Sequence, residues 1–379
     1  MRVFLELKRN QLRLTDAVLK DAPKKWRSQR HGIPMLSKES WIPSQPWPLD
    51  SLTIEWKSDY SRDDTSKLVE RGRIIPGAGL TRKVTYSEAL TDFAEMGHLF
   101  NGTIYRPVEI EFSENSRTMR FSQACYFEYL DTSEVLAYEA AGRSLRKRYL
   151  RRDRSLRSRL KDPFDLVNRV ASLGVLTLTV RVSSEGSSFV LHKRDSVRVV
   201  LAPELFHVVP AGEFTPSDIS IEAIESDFSI WRNIVREYAE EFLGVDDAQG
   251  VGGRTIDYEH EVPYRRLMDA KKSGDLRVYV LGAGLDPLTW KPELLTVAVF
   301  TASAFDRTFP DMVKINNEGT LIPGRPFKEA VIRNYLNNPA TRPGGKACLG
   351  LAWHHREVLG LVPTAKDAGS RRRRRGGGR

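Results

Sequence analysis

The spacing of hydrophobic residues divides the chain into a first part with short strands and a second part with longer elements. Before residue 140, apolar and polar residues alternate with a period of two in three segments, which is typical of half-buried strands. These segments are SLTIEW (51–56), RKVTY (82–86) and TIYRPVEIEF (103–112). A helix is predicted to begin near residue 131, with Asp131, Thr132 or Ser133 as its N-cap. We therefore expect a mixed, strand-rich N-terminal domain over residues 1–140.

Longer strands and helices are predicted from about residue 164 onward. Apolar segments predict strands at residues 173–182, 187–200, 206–214, 275–286 and 293–300, and helices at 326–338 and around 347–360. Glycine and proline favour turns at Pro210–Gly212 and at Gly282–Gly284. The adjacent His354 and His355 are interpreted as surface residues near a helix end. Strands and helices mixed in this way predict an α/β or α+β domain over residues 164–363.

The basic character of the chain is confined to two segments. The 379 residues are 40% hydrophobic and 28% charged, with a net charge of +10. Residues 143–161 contain ten basic residues and one acid, and the last nine residues contain six arginines. We expect a basic helical linker at 141–163 and a disordered tail at 364–379. The stretch Arg143–Lys161 is interpreted either as a solvated helix or, with the C-terminal arginines, as a contact for nucleic acid or an acidic protein.

Several protein classes are not expected from this sequence. No apolar segment reaches the ~20 residues that a membrane-spanning helix needs, and no hydrophobic signal segment opens the chain. Cys125 and Cys348 lie far apart, so they predict neither a disulfide framework nor a zinc motif. These features predict a soluble, cytoplasmic protein with no membrane partner, and they leave its oligomeric state open.

The segment WRNIVREYAEEFLG (231–244) concentrates three glutamates on one predicted helix. Its apolar residues recur at helical spacing and predict a core-facing side. Glu237, Glu240 and Glu241 cluster on the opposite side, where like charges repel one another. One interpretation is a solvated acidic face, in which Arg236 pairs with Glu240. The other is a site for a hard divalent cation, whose preference for oxygen ligands would offset the repulsion.

The order of elements around this helix resembles the Nudix family, whose signature is Gly-x5-Glu-x7-Arg-Glu-U-x-Glu-Glu-x-Gly-U, where U is aliphatic. The REYAEE block (236–241) matches the core of the signature, with Tyr238 at the aliphatic position. The resemblance implies a Nudix-like α/β/α sandwich in which Glu237, Glu240 and Glu241 hold Mg²⁺ or Mn²⁺. Gly212 would be the glycine at which the chain leaves the preceding strand, beside the substrate.

The same resemblance implies roles for other residues. Lys193 or Arg194 would pair with substrate phosphates, and Arg236 and Asp218 would have structural roles. Glu318 would either supply a base from a distal loop or cap a turn. The implied activity is hydrolysis of a nucleoside diphosphate linked to another group, with a nucleotide-derived small molecule as substrate.

The chain departs from the signature at three places. The sixth residue after Gly212 is Asp218 instead of glutamate, and the segment from Gly212 to Arg236 is about ten residues longer than the signature allows. Two residues, instead of one, separate Glu241 from Gly244. The departures favour an alternative function, a non-catalytic Nudix-like domain that senses a nucleotide or regulates a partner. The three retained glutamates favour the hydrolase.

Overall fold

The computed structural model describes residues 2–28, 30–57, 66, 69–70, 74, 83–93, 99–145, 155–194, 205–245, 255–316 and 319–362. Within these residues the helices are α1 Arg2–Asp21, α2 Tyr86–Phe93, α3 Tyr126–Tyr129, α4 Val135–Leu145, α5 Leu156–Leu160, α6 Ile221–Ser226, α7 Ile230–Leu243, α8 Tyr264–Lys272, α9 Ala302–Thr308, α10 Glu329–Asn337 and α11 Pro343–His354. The strands are β1 Trp47–Pro48, β2 Thr53–Trp56, β3 Thr103–Phe112, β4 Arg117–Cys125, β5 Gly174–Ser183, β6 Gly186–Arg194, β7 Leu205–Val208, β8 Ala211–Glu213, β9 Leu276–Leu285, β10 Pro292–Thr301 and β11 Thr320–Pro326.

A mixed sheet of eight strands organises the second part of the chain. Its order is β1-β9-β10-β5-β6-β11, while β7 pairs with β6 and β8 pairs with the beginning of β5. The central β10 and β5 run parallel, and the other neighbouring pairs are antiparallel. The short β8 therefore lies beside the first residues of β5, whereas β6 pairs with the last residues of β5.

Helices cover both faces of this sheet because its central strands are apolar on both sides. Along β10, Leu294, Ala298 and Phe300 belong to one core, while Leu295 and Val297 belong to another. The first core contains the apolar side of α7, and the second contains α10 and α11. The structure is thus of the α/β type, with α7 and α11 on opposite faces of the sheet.

The N-terminal part of the chain shares the α7 core. Its own three-stranded sheet has the order β2-β4-β3, and Tyr105 and Phe121 from this sheet contact Phe214, at ring-centroid distances of 4.5 and 5.2 Å. The short β1 also pairs with β9 of the large sheet. The two parts predicted as separate domains therefore share one core. That residues 141–163 are a linker between two domains stays a prediction.

Most of the long predicted elements are present, and several short ones differ. The strand predicted at 82–86 is wrong: Val84 makes an isolated bridge, and Tyr86 begins α2. Asp131, Thr132 and Ser133 do not cap a helix, since they lie inside a π-helical turn, Leu130–Glu134, between α3 and α4. Gly282–Gly284 continues β9 instead of forming a turn. Among the described residues, no helix is long and apolar enough to cross a membrane.

Candidate functional site

Helix α7 begins and ends at residues that stop helices. The Ser229 hydroxyl accepts a hydrogen bond from the backbone N–H three residues later, which satisfies a donor of the first turn. Gly244 takes the left-handed conformation, with φ at 68°, and its N–H donates back to the Glu240 carbonyl. These caps place Glu237, Glu240 and Glu241 in the last two turns of the helix.

The apolar side of α7 is buried as its spacing predicts. Ile234, Val235, Tyr238 and Phe242 are all almost completely inaccessible to solvent. The Tyr238 hydroxyl is hydrogen-bonded to the Thr179 hydroxyl of β5 at 2.8 Å, so this polar group is satisfied inside the core. The packing fixes the rotation of the helix and directs its glutamate side toward β8.

The backbone of β8 lies directly against two of the three glutamates. The Ala211 N–H donates a hydrogen bond to Glu241 Oε1 at 3.2 Å. A Cβ atom added to Gly212 would lie 1.9–2.3 Å from the Glu237 carboxylate. Only glycine can occupy this position without displacing that carboxylate. Gly212 is therefore needed for a close approach inside a strand, and the turn predicted at Pro210–Gly212 is wrong.

Burial separates the glutamates from an ordinary solvated face. Glu241 is only 2% exposed, while Glu237 and Glu240 are half-buried. A carboxylate is expensive to remove from water unless other groups compensate its charge. The interpretation of a solvated acidic face is therefore wrong for Glu241.

Strand β8 is held in place from its other side. The Thr177 N–H of β5 donates to the Pro210 carbonyl at 2.9 Å. Glu213, which points away from α7, pairs with Lys291 at 2.6 Å. Burial alone would lower the pKa of Lys291, but the facing carboxylates Glu213 and Glu293 raise it, so the ammonium stays charged. This ion pair ties β8 to the beginning of β10 and keeps its backbone against α7.

Glu293 is a titratable residue that the sequence pattern did not single out. Loss of surrounding water raises its pKa to about 7, although the nearby Lys291 acts in the opposite direction. Glu293 is half-buried beside Gly174 and Gly344. Because these glycines have no Cβ atom, they leave room for the side chains of Glu293 and Lys291. Lys291 and Glu293 stand immediately before the apolar run of β10, and this charged pair is the sequence signal that could have identified Glu293.

Arg236 is part of a buried polar network at the middle of α7. Its guanidinium forms an ion pair with Asp227 at 3.0 Å, and the Tyr258 hydroxyl donates to the same carboxylate at 2.6 Å. Burial raises the pKa of Tyr258, which therefore stays a neutral donor. The Asp227 carboxylate also accepts the Ser217 N–H at 2.7 Å. This network joins the β8–α7 connection to the helix, and the sequence analysis did not identify Asp227.

The long connection between β8 and α7 contains the short helix α6. Asp218, which stands where the signature has glutamate, is buried, and its carboxylate accepts the Ser220 N–H at 2.8 Å. Ser220 in turn caps α6. The extra residues of this connection therefore form a local turn and helix.

Of the other predicted site residues, Lys193 is described and lies away from the glutamates. Lys193 follows His192 on β6 and pairs with Phe206 of β7, a residue that packs in the α11 core. Lys193 therefore projects from the face of the sheet opposite to α7, so its predicted phosphate contact is not supported. Arg194 ends β6, with its side chain outside the described residues, as is the whole of Glu318.

The predicted basic linker is partly described. Its helix α5 places Arg157 against the Pro287 carbonyl, at 3.1 Å, and over the Trp290 ring, at 4.6 Å. This arginine therefore serves packing within the chain instead of extending into solvent. Residues 146–154 of the linker and the C-terminal tail from residue 363 lie outside the described residues.

Comparisons with known proteins give no family for this arrangement. No protein-family model matches the chain, and no curated protein is similar enough to count as a match. The residues of α7 and β8 are thus the basis for a functional assignment.

Proposed function

We propose that the chain is a divalent-metal-dependent hydrolase of a nucleotide-linked pyrophosphate, with a Nudix-like α/β/α sandwich. The observation that carries this proposal is the contact of the β8 backbone at Ala211 and Gly212 with the carboxylates of Glu241 and Glu237. It joins two elements of the signature, the glycine and the glutamate block, that lie 25 residues apart in the sequence. Two neighbouring residues of β8 thus each meet one carboxylate of the glutamate block, Gly212 that of Glu237 and Ala211 that of Glu241.

The glutamate oxygens are the ligand type that Mg²⁺ or Mn²⁺ prefers, although among the described residues the three carboxylates do not already converge as a group of ligands. Both ions prefer oxygen ligands, and carboxylates together with backbone carbonyls supply them. Glu237, Glu240 and Glu241 would hold the ion once their side chains turn toward it, and Gly212 has no side chain that would displace the Glu237 carboxylate. A bound ion would neutralise phosphate charge and lower the pKa of the attacking water.

The chain itself contributes position and rigidity to this site. Caps at both ends of α7 fix the helix, and the Arg236–Asp227 ion pair prevents its middle turn from rotating. The Glu213–Lys291 pair holds β8 from behind. The backbone that carries the glutamates is therefore fixed, and only their side chains would need to turn toward a bound ion.

The test is nucleotide and phosphate release from a panel of nucleoside diphosphate derivatives with Mg²⁺ or Mn²⁺. The variants are Glu240→Gln and Glu241→Gln, and the matched control is Glu222→Gln, an exposed glutamate on the neighbouring α6. We expect metal-dependent turnover that falls by about 100-fold or more in both site variants, as for lost electrostatic stabilisation, and is unchanged in the control. Mn²⁺ binding measured by electron paramagnetic resonance should weaken in the same two variants. Turnover unaffected by either substitution would refute the assignment.

A cavity on another part of the molecule favours a second candidate function, nucleotide sensing without hydrolysis. The cavity has a volume of about 730 Å³ and lies between α1, α4 and α5. The described residues that line it include the half-buried Trp26, together with Arg13, Arg143 and Lys161. An aromatic ring and cations suit a ligand with a flat base and phosphates. Nucleotide binding that persists in Glu241→Gln but weakens in Lys161→Gln would support the sensor.

A further inference from the structure

Three histidines lie close together in the structure, one from near the beginning of the sequence and two from near its end. All three are distant in sequence from the glutamates of α7. His354 is the last residue of α11, and His355 follows it as the C-cap. His31 comes from the segment between α1 and β1. Its ring centroid lies 3.9 Å from that of His354 and 5.6 Å from that of His355.

The ring nitrogens are close enough to share one ion. One nitrogen from each histidine lies within 4.8 Å of the other two. Ligands of a tetrahedral metal with metal–nitrogen distances of 2.0–2.1 Å are ~3.3 Å apart, so closing the cluster needs movements of at most about 1.5 Å. His31 and His354 are exposed and free to make such movements by side-chain rotation. Adjacent residues within a helix point about 100° apart, but these two lie at the helix end, where their ring centroids are 4.6 Å apart.

His355 contributes the second observation. It is 5% exposed, and its Nε2 atom is buried without a hydrogen-bond partner among the described residues. The surface role predicted for this residue is therefore wrong. Buried polar atoms are almost always satisfied, so an orphaned imidazole nitrogen inside a histidine cluster needs an explanation.

The backbone and the charges around the cluster are consistent with ligation. His31 has φ at 59°, in the left-handed region that few residues other than glycine adopt. The charge of the adjacent Arg30 is offset by its ion pair with Glu39 at 2.8 Å.

We propose that His31, His354 and His355 form a binding site for a transition-metal dication of the Zn²⁺, Co²⁺ or Ni²⁺ class. Three imidazoles without carboxylate or thiolate suit these ions and not Mg²⁺ or Ca²⁺. Exposure of two of the rings leaves a fourth position open to water. The ion clips the N-terminal segment at residue 31 to the last helix of the sheet, a link that spans more than three hundred residues of sequence.

The experiment titrates the chelator-treated full-length chain with Co²⁺, follows its visible d–d absorption, and then displaces Co²⁺ with Zn²⁺. The variants are His31→Asn and His354→Asn, both exposed, so that folding is not at risk as it is for His355→Asn. The matched control is His260→Asn, an exposed histidine paired with Asp257. We expect one tightly bound Co²⁺ per chain with tetrahedral absorption, and affinity about 10–100-fold weaker in both variants.

Two results would overturn this site. One is the absence of tetrahedral Co²⁺ absorption at stoichiometric metal, and the other is unchanged affinity in both His31→Asn and His354→Asn. The same titration in Glu241→Gln should give the wild-type absorption, because nitrogen ligation does not depend on the α7 carboxylates. Thus the histidine site and the glutamate site can fail separately.

Discussion

Replacing Gly212 with alanine tests the close approach of β8 to the glutamate helix. The added Cβ atom would lie 1.9–2.3 Å from the Glu237 carboxylate, whereas real Cβ contacts are essentially never shorter than 3.0 Å. The carboxylate must therefore move by at least about 1 Å. It ends a flexible side chain, so the shift requires no change in the backbone of β8.

The expected effect is on function and not on stability. The free energy of unfolding should stay within about 1 kcal/mol of wild type, because the lower entropy cost of alanine partly offsets the contact. A misplacement of about 1 Å at a catalytic centre costs about 100-fold in rate. We therefore expect Gly212→Ala to lower metal-dependent turnover by about that factor, and to weaken Mn²⁺ binding by about 10–100-fold.

The assay pairs urea denaturation with Mn²⁺ titration and turnover. Gly350→Ala is the control, because its Cβ atom would meet only Leu336, at an ordinary distance of 3.7 Å, on the other face of the sheet. Wild-type metal affinity in Gly212→Ala would refute the reasoning. So would a loss of several kcal/mol of stability, since Gly212 would then be required for packing and not for the site.

Three further predictions concern charge. The pKa of Glu293 is raised to about 7 from a usual value of 4.5, so the folded chain binds more protons than the unfolded chain between these pH values, and its stability falls as pH rises through this window. Glu293→Gln should remove that fall. In urea denaturation, the difference in unfolding free energy between variant and wild type should therefore shift by about 1–3 kcal/mol in favour of the variant from pH 4 to pH 8. Asp227→Asn leaves Arg236 buried without its ion pair and should cost about 3–5 kcal/mol, whereas Asp306→Asn, which breaks an exposed pair, should cost less than about 1 kcal/mol; equal losses would contradict this ranking. Deleting residues 365–379 should leave the melting temperature unchanged and weaken salt-sensitive retention on DNA or RNA, and unchanged retention at low salt would show that the tail makes no polyanion contact.

Secondary structure was predicted correctly where a segment was long enough to show its periodicity. The predictions failed where contacts with distant parts of the chain determine the local conformation. The segments at 103–112, 173–182 and 293–300 are strands as expected, because each has enough residues to reveal its period. Gly212 and Gly282 were both interpreted as turn residues, yet both lie within strands. In both cases glycine is needed because another group approaches the backbone closely, and no local pattern records that approach.

The position of a candidate residue was predictable only where its neighbours are close in sequence. The glutamates of α7 lie within five positions, so helical spacing placed them on one side of the helix. Lys193 was expected near them, but a strand pattern does not reveal which face of a sheet a given residue will occupy. His31 and His355 are joined only by the folding of the whole chain, and adjacent histidines alone gave no reason to look for a third.

The longer connection between β8 and α7 bears directly on the choice between hydrolase and sensor. Two of its acidic residues are engaged, Asp218 with the Ser220 N–H and Asp227 with Arg236. Both carboxylates therefore have structural partners, and the proposed glutamate site depends on Glu237, Glu240 and Glu241. The connection also anchors Arg236 and so stiffens the helix that carries those glutamates. If the α7 glutamates hold a metal as proposed, the site lacks the carboxylate of Asp218, which is engaged in a local turn, and we therefore expect weaker metal binding than the full signature would give.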